Sequence, residues 1–333
     1  MCGIIGYGTC SELNESDWLI SARDRMSHRG PDHAGMYISK DTKVVFGHRR
    51  LSIISLNDDS NQPLKAVFGE NEYVICYNGE IYNYQELRDS MLNFGYKFST
   101  SSDTEVILGL YDLYGEECVK MLEGMFSFVI HDIKNNKLFF ARDIVGEKPF
   151  YYFLNNKTFY FSSEFLPLIS HPELGSEISQ SRINQYLELG YLQPDLTFSN
   201  KVSKLPPGNS GTFDLSNSNL SFASYFELDS NKLKFDNLEI CISHLNNLLN
   251  ESVAKQLRSD VSIGVLLSGG IDSSIISCKA NEINDRIVNY TVDFGDNIYE
   301  LKNAELISNH YGVKHEVFNI VDLTPELIDS IIS

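Results

Sequence analysis

At 333 residues, 42% hydrophobic and 22% charged, the chain has the make-up of an ordinary globular protein, long enough for two domains with a core in each. Its formal net charge of −18 argues against non-specific binding to nucleic acid or to an anionic membrane. The six cysteines, Cys2, Cys10, Cys76, Cys118, Cys241 and Cys278, show no CxxC spacing, and no apolar run approaches ~18 residues, so no metal framework, disulfide scaffold, export signal or membrane span is expected, and a reducing cytoplasm is the expected compartment.

In chain order, residues 2–8 form an apolar, glycine-punctuated run that predicts a short buried strand. A helix is expected over Glu15–Met26, closed by the loop Ser27-His28-Arg29-Gly30-Pro31-Asp32. From Gly35 to about Ile54 the pattern is β-rich, with Met36–Ile38 and Val44–Phe46 as strand cores. Val74-Ile75-Cys76-Tyr77 reads as a strand that Asn78-Gly79, a strong turn signal, should end. Helical periodicity covers Tyr84–Phe94 and Thr104–Leu113, the second entered through Ser101-Ser102-Asp103, which can cap its N-terminus. Strands are expected at Phe126–Asp132, Lys137–Arg142, Phe150–Leu154 and Thr158–Ser162. Such strands flanked by helices, without strict βαβ repeats, predict an α+β unit of stacked antiparallel sheets with helical layers outside.

The first unit is placed at residues 2–213, ending at Leu205-Pro206-Pro207-Gly208-Asn209 and the Ser/Asn-rich run Asp214–Ser221, and a linker is expected over 214–237. From Leu238 the grammar changes: a helix to Leu257, an apolar strand Ile263–Leu267, a Gly/Ser loop and a helix from about Asp272 to Ile283. Ile287–Phe294 and Glu316–Ile320 read as strands around a helix Ala304–Tyr311, and Leu327–Ser333 as the start of another helix. Fully apolar strands alternating with helices predict an α/β, doubly wound parallel sheet over 238–333.

Two stretches carry chemistry. A cysteine directly after the initiator methionine becomes N-terminal once that methionine is removed, and its small size favours removal. One residue then holds both a thiol and an α-amine whose ordinary pKa, about 7.7–8.0, lets it take the thiol proton. In Ser268-Gly269-Gly270-Ile271-Asp272-Ser273-Ser274, between a strand and a helix, the glycines let backbone N–H groups approach an anion and the serines add hydroxyls. No GK[ST] is present, so the cradle suits pyrophosphate released by adenylation, and Asp272 can hold Mg²⁺.

With these residues in view, the chain resembles the glutamine-dependent asparagine synthetases. Met1-Cys2-Gly3-Ile4, Arg29-Gly30-Pro31-Asp32, Arg50-Leu51-Ser52-Ile53, Tyr77-Asn78-Gly79-Glu80-Ile81-Tyr82-Asn83 and Ser102-Asp103-Thr104-Glu105 occur in that family's order. So do Gly124-Met125-Phe126, Ala141-Arg142-Asp143, Lys148-Pro149, Leu205-Pro206-Pro207-Gly208 and the serine-glycine loop. The resemblance implies an N-terminal-nucleophile, four-layer αββα glutaminase followed by an ATP-pyrophosphatase domain. It implies Cys2 as nucleophile, with Asn78 and Gly79 as a two-donor oxyanion hole. Arg50, chosen over Arg49 by the Arg-Leu-Ser-Ile match, would take the α-carboxylate of glutamine, and Ile53 and Ile54 would offer backbone groups. Glu80 and Asp103 would accept its α-ammonium, although Asp103 is also a good helix cap. His28 and His48 stand near matched motifs and receive no role.

In the second unit the resemblance makes Leu267 and Val292 adenosine contacts through backbone atoms, beside the phosphate cradle Ser268, Gly269, Gly270, Asp272, Ser273 and Ser274. The implied substrates are glutamine, ATP with Mg²⁺, and aspartate, giving asparagine, AMP and pyrophosphate; a homodimer is admitted, with no nucleic acid or membrane partner. Val292-Asp293-Phe294, Tyr299-Glu300, Ile144-Val145 and Glu147 depart from the family's usual residues. These departures leave another acceptor open, such as a sugar acid of surface-polysaccharide synthesis, and so is a remnant that makes no amide. The family's synthetase domain is of the order of 200–300 residues and fewer follow the linker here, so a fragment or truncated product is expected.

Overall fold

A computed structural model of the chain describes all residues except 12, 14, 175–177, 230–233, 296–297, 321–323 and 326–333; the helix expected at Leu327–Ser333 lies outside the described residues. Two compact units are present, Met1–Ser230 and Asn231–Ser333.

The first unit runs β1 (Gly3–Thr9), α1 (Ser16–Asp24), β2 (His33–Ile38), β3 (Val44–Arg50), β4 (Leu64–Phe68), β5 (Asn71–Ile81), α2 (Tyr84–Asn93) and α3 (Asp103–Tyr114). It continues with β6 (Gly124–Asp132), β7 (Lys137–Arg142), β8 (Tyr151–Asn155), β9 (Thr158–Ser162), α4 (Phe165–Ile169), α5 (Gln180–Leu189), β10 (Ser203–Lys204), β11 (Asn209–Asp214) and β12 (Leu220–Ser224). Two six-stranded sheets result, ordered β10-β8-β9-β1-β3-β2 and β12-β11-β7-β6-β5-β4.

Alternation of side chains along each strand sorts the apolar residues into three layers. Ile4, Phe46, Val74, Cys76, Val129 and Phe140 fill the space between the sheets. Ile5, Tyr7 and Val45 point the other way, onto Leu19 and Ala22 of α1 and Leu168 of α4. Ile75, Tyr77, Phe128 and Ile130 face Val106, Ile107 and Leu110 of α3. The result is the expected αββα sandwich, and β1, buried along its whole length, pairs with β3 and β9 at the centre of the first sheet.

Two expectations shift. Asn78-Gly79 is not a turn: β5 runs through it, pairing Asn78 with Ser127 and Gly79 with Phe126. A Cβ on Gly79 would lie 2.2 Å from the Met125 carbonyl oxygen and 2.7 Å from Phe126 Cα, so glycine is there for close approach to β6. The linker placed at 214–237 also begins too early, because β12 pairs along β11, and β11 along β7, inside the second sheet.

The second unit comprises α6 (Leu238–Gln256), β13 (Gly264–Leu266), α7 (Ile271–Ile283), β14 (Val288–Asp293), α8 (Ile298–Tyr311) and β15 (Lys314–Asn319). Asn237 caps α6 by accepting the Ile240 N–H at 2.9 Å. The strands form a parallel sheet in the order β13-β14-β15. Asn289 on β14 ties the helices to it, accepting from Ser277 at 2.8 Å and donating to Ser308 at 3.0 Å. Among the described residues no helix is long and apolar enough to cross a membrane.

Candidate active site

Cys2 directly precedes β1 and, by alternation with Ile4, faces the space between the sheets. Its Sγ lies 3.7 Å from the Leu51 carbonyl oxygen. Arg29 fixes the residue from behind: Nε donates to the Cys2 carbonyl at 2.9 Å while Nη1 pairs with Glu164 at 3.1 Å. Asp32 ties the neighbouring stretch in place, its carboxylate accepting from Ser52 N at 2.8 Å and its own N–H donating to the Arg50 carbonyl at 3.0 Å. Arg29, Asp32 and Glu164 were not among the sequence-derived site residues, although the Arg29-Gly30-Pro31-Asp32 stretch was the available signal. Burial pushes the Cys2 thiol up from its ordinary range; the Leu51 contact, the N-terminal amine and Arg50 oppose this, and Asp103 adds to it.

Across the cleft stands β5. Asn78 lies on the strand face shared with Val74 and Cys76, which turns its side chain toward the space between the sheets. It is 1% exposed, yet among the described residues its Nδ2 has no hydrogen-bond partner. The Tyr77 N–H donates to Gln62 Oε1 at 2.7 Å and the Ile81 N–H to Asp103 Oδ2 at 3.0 Å, both on the side away from β6. Alternation of the ladder therefore aims the Gly79 N–H at that same edge, beyond the end of β4. One side-chain donor and one backbone donor thus reach the cleft from consecutive residues.

The other expected residues converge here. Cys2, Arg50, Ile53, Ile54, Asn78, Gly79, Glu80 and Asp103 all line one cleft. Ser102, not Asp103, caps α3, its Oγ accepting from Glu105 N. Asp103 is left to accept from Tyr77 Oη at 2.8 Å and Ile81 N at 3.0 Å. Burial raises its pKa against those bonds. Glu80 is pushed up to about 7, first by burial and then by the Asp103 charge, with Lys148 and the N-terminal ammonium pulling the other way. Two carboxyls that repel each other across a cleft make a place for a cation. Arg50 differs from expectation: Nη1 serves the Asn57 carbonyl at 3.0 Å and Asn61 Oδ1 at 2.8 Å, and Nη2 the carbonyls of Ile54 and Ser55. Its fork holds the loop 54–61, where the sequence reading had a free clamp for carboxylate.

In the second unit Leu267, Ser268, Gly269, Gly270, Asp272, Ser273, Ser274 and Val292 gather where β13 and β14 end and α7 begins. Leu267 N–H donates to the Tyr290 carbonyl at 2.8 Å, holding the two strand ends side by side. Gly269 has φ +76, and a Cβ there would lie 2.4 Å from the Glu300 carbonyl oxygen. The hydroxyls are tied within the loop, Ser268 to Ser273 at 3.0 Å and Ser274 to the Gly270 carbonyl at 2.7 Å. Among the described residues no three His, Cys, Asp or Glu side chains cluster to hold a metal.

The layered sandwich is the fold of the N-terminal-nucleophile glutamine amidotransferases. Two solved structures share it: the allosteric regulatory enzyme of purine biosynthesis (TM-score 0.53, 14% identity, 96% of this chain and 80% of that one) and a B. subtilis glutamine phosphoribosylpyrophosphate amidotransferase (0.51, 15%, 99% and 70%). Residues 1–226 match the glutamine amidotransferase domain family and residues 244–332 the asparagine synthase family. Asparagine synthetase (glutamine-hydrolyzing) 3 of Bacillus subtilis is 32% identical over 305 residues, covering 89% of this chain and 49% of that protein. Its counterpart numbered 1 is 36% identical over 298 residues, covering 88% and 46%. The chain belongs to the glutamine-hydrolysing asparagine synthetase family, and it spans about half the length of these relatives.

Proposed function

We propose that the first unit hydrolyses glutamine through Cys2. With Met1 removed, the Cys2 α-amine takes the thiol proton and the sulfur attacks the side-chain amide carbon of glutamine. The tetrahedral oxyanion accepts hydrogen bonds from Asn78 Nδ2 and the Gly79 N–H, ammonia leaves with the proton from the amine, and water hydrolyses the thioester to glutamate. Glu80 and Asp103 receive the α-ammonium. Arg50 takes the α-carboxylate in exchange for acceptors of the loop 54–61. The observation carrying this reading is the buried, unpartnered Asn78 amide on the face that Cys2 shares. A donor left unmade costs about 1–3 kcal/mol, which an oxyanion would recover. The test is a glutaminase assay of Cys2→Ala; glutamine hydrolysis at the wild-type rate would remove Cys2 from the mechanism.

The second unit is proposed to bind ATP at the Ser268–Ser274 loop and the ends of β13 and β14, for adenylation of an acid that ammonia then amidates. The names of the relatives favour aspartate as that acid. Exchange of labelled pyrophosphate into ATP, assayed with aspartate and with sugar acids separately, tests the acceptor. Exchange with a sugar acid alone would replace aspartate.

A further inference from the structure

The stretch Arg142-Asp143-Ile144-Val145-Gly146-Glu147-Lys148-Pro149 takes no part in the steps above, yet two of its side chains hold it with a dense set of hydrogen bonds. Arg142 spreads its guanidinium over three carbonyls, Lys148 at 2.7 Å, Leu205 at 2.7 Å and Gly146 at 2.6 Å. The buried Asp143 carboxylate gathers the N–H groups of Val145, Gly146, Glu147, Lys148 and Phe126, at 2.6–3.2 Å. Gly146 has φ +76, in the left-handed region. What this clamp delivers is Lys148, on the cleft wall with Met1, Cys2 and Glu80. Lys148 is 6% exposed, and among the described residues its ammonium has no hydrogen bond or ion pair. Its stem is buried while the residue lines the cleft, so the charge is held at the cleft by the clamp behind it.

We propose that Lys148 is a positioning residue for the N-terminal base: held by the Arg142–Asp143 clamp, its ammonium keeps the α-amine of processed Cys2 in the neutral form that can accept the thiol proton. This rests on the reading of Cys2 as nucleophile. The charged and titratable groups facing the terminus are Lys148, Arg29, Glu80 and the Cys2 thiol, with Arg50 and Asp103 nearer the sulfur. Arg29 is compensated by Glu164, at 3.1 Å. Glu80, with its pKa near 7, carries only part of its charge at neutrality. Lys148 makes no ion pair among the described residues; burial lowers its pKa, and the Glu80, Glu147 and Asp143 charges oppose this. In the structure the amine belongs to Met1, one peptide unit out, and there burial first lowers its pKa, the Cys2 thiol opposes this, Lys148 and Arg29 lower it further and Glu80 raises it. Loss of Met1 brings the amine to Cys2 N, on the residue whose carbonyl Arg29 holds.

The test compares kcat for glutamine hydrolysis against pH in wild type, Lys148→Met, Lys148→Gln and Lys148→Arg, each with Met1 removal verified by intact mass. The amine must be neutral to act, so losing the lysine charge moves the acidic limb of the profile upward, by on the order of one pH unit for a charge several Å away. The high-pH plateau is kept, and Lys148→Arg retains the wild-type limb. The pH dependence of Cys2 alkylation by iodoacetamide shifts the same way, independently of turnover. An acidic limb unmoved in both neutral variants overturns the inference, whether or not the plateau falls. Failure of the underlying reading shows differently, as glutaminase activity that survives Cys2→Ala.

Discussion

Asn78 and Glu80 stand two positions apart on β5, and each has a group whose burial makes sense only with substrate present. Since Asn78 Nδ2 has no hydrogen-bond partner among the described residues, its removal should cost little stability and much rate. Asn78→Ala is expected to lower kcat about 10²–10³-fold with a small change in KM, while its thermal midpoint stays within a few degrees of wild type; a large KM increase at unchanged kcat would make Asn78 a ground-state contact. Glu80 gives a pH signature. With its pKa near 7, the carboxylate proposed to pair with the substrate ammonium is lost as pH falls through 7. The KM for glutamine should therefore rise as pH drops from 8 to 6. Glu80→Gln should raise KM at pH 8 and flatten that dependence.

At the scale of elements, β5 is where the sequence was both most and least informative. The cluster Tyr77-Asn78-Gly79-Glu80 was picked out only through the family resemblance, since by itself Asn-Gly reads as a turn. Its conformation was not legible, because pairing with β6, supplied from far along the chain, overrides the local turn preference of Asn-Gly. Ser102 and Asp103 show the same limit, since both are good caps by type and only packing assigns the cap to Ser102 and the buried carboxylate to Asp103. The linker was misplaced because Asp214–Ser221 is rich in turn residues, and the strand Leu220–Ser224 that overlaps its end is only five residues long and exposed along most of its length. Gly79→Ala tests the strand geometry. Its Cβ would strike the backbone of Met125 and Phe126, which no rotamer change relieves. The variant should lose about 1–3 kcal/mol together with glutaminase activity, read by urea denaturation and assay. A hairpin turn at that position would tolerate alanine differently, leaving the β6 pairing untouched.

The whole molecule joins units of unequal core. Residues of the first unit form all three large apolar layers of the sandwich. The second unit buries Val253, Ala280, Ile287 and Val313, helped by Leu257, Ile263 and Val265, and leaves Leu238, Ile242 and Leu245 of α6 exposed. Hydrophobic stabilisation scales with apolar area removed from water, so the second unit should be the weaker. Calorimetry of the full chain is expected to show two transitions, the lower one from 231–333. Ligands then report which unit holds which site, because a ligand stabilises what it binds by RT ln(1 + [L]/Kd), about 2.7 kcal/mol at a hundredfold excess over Kd. ATP with Mg²⁺ should raise the lower transition, by on the order of 10 °C for a unit of this size. Glutamine, added to Cys2→Ala so that it is not consumed, should raise the upper one. A single transition moved by both ligands would mean that the units fold as one body, and a lower transition indifferent to ATP would leave the Ser268–Ser274 loop without its nucleotide.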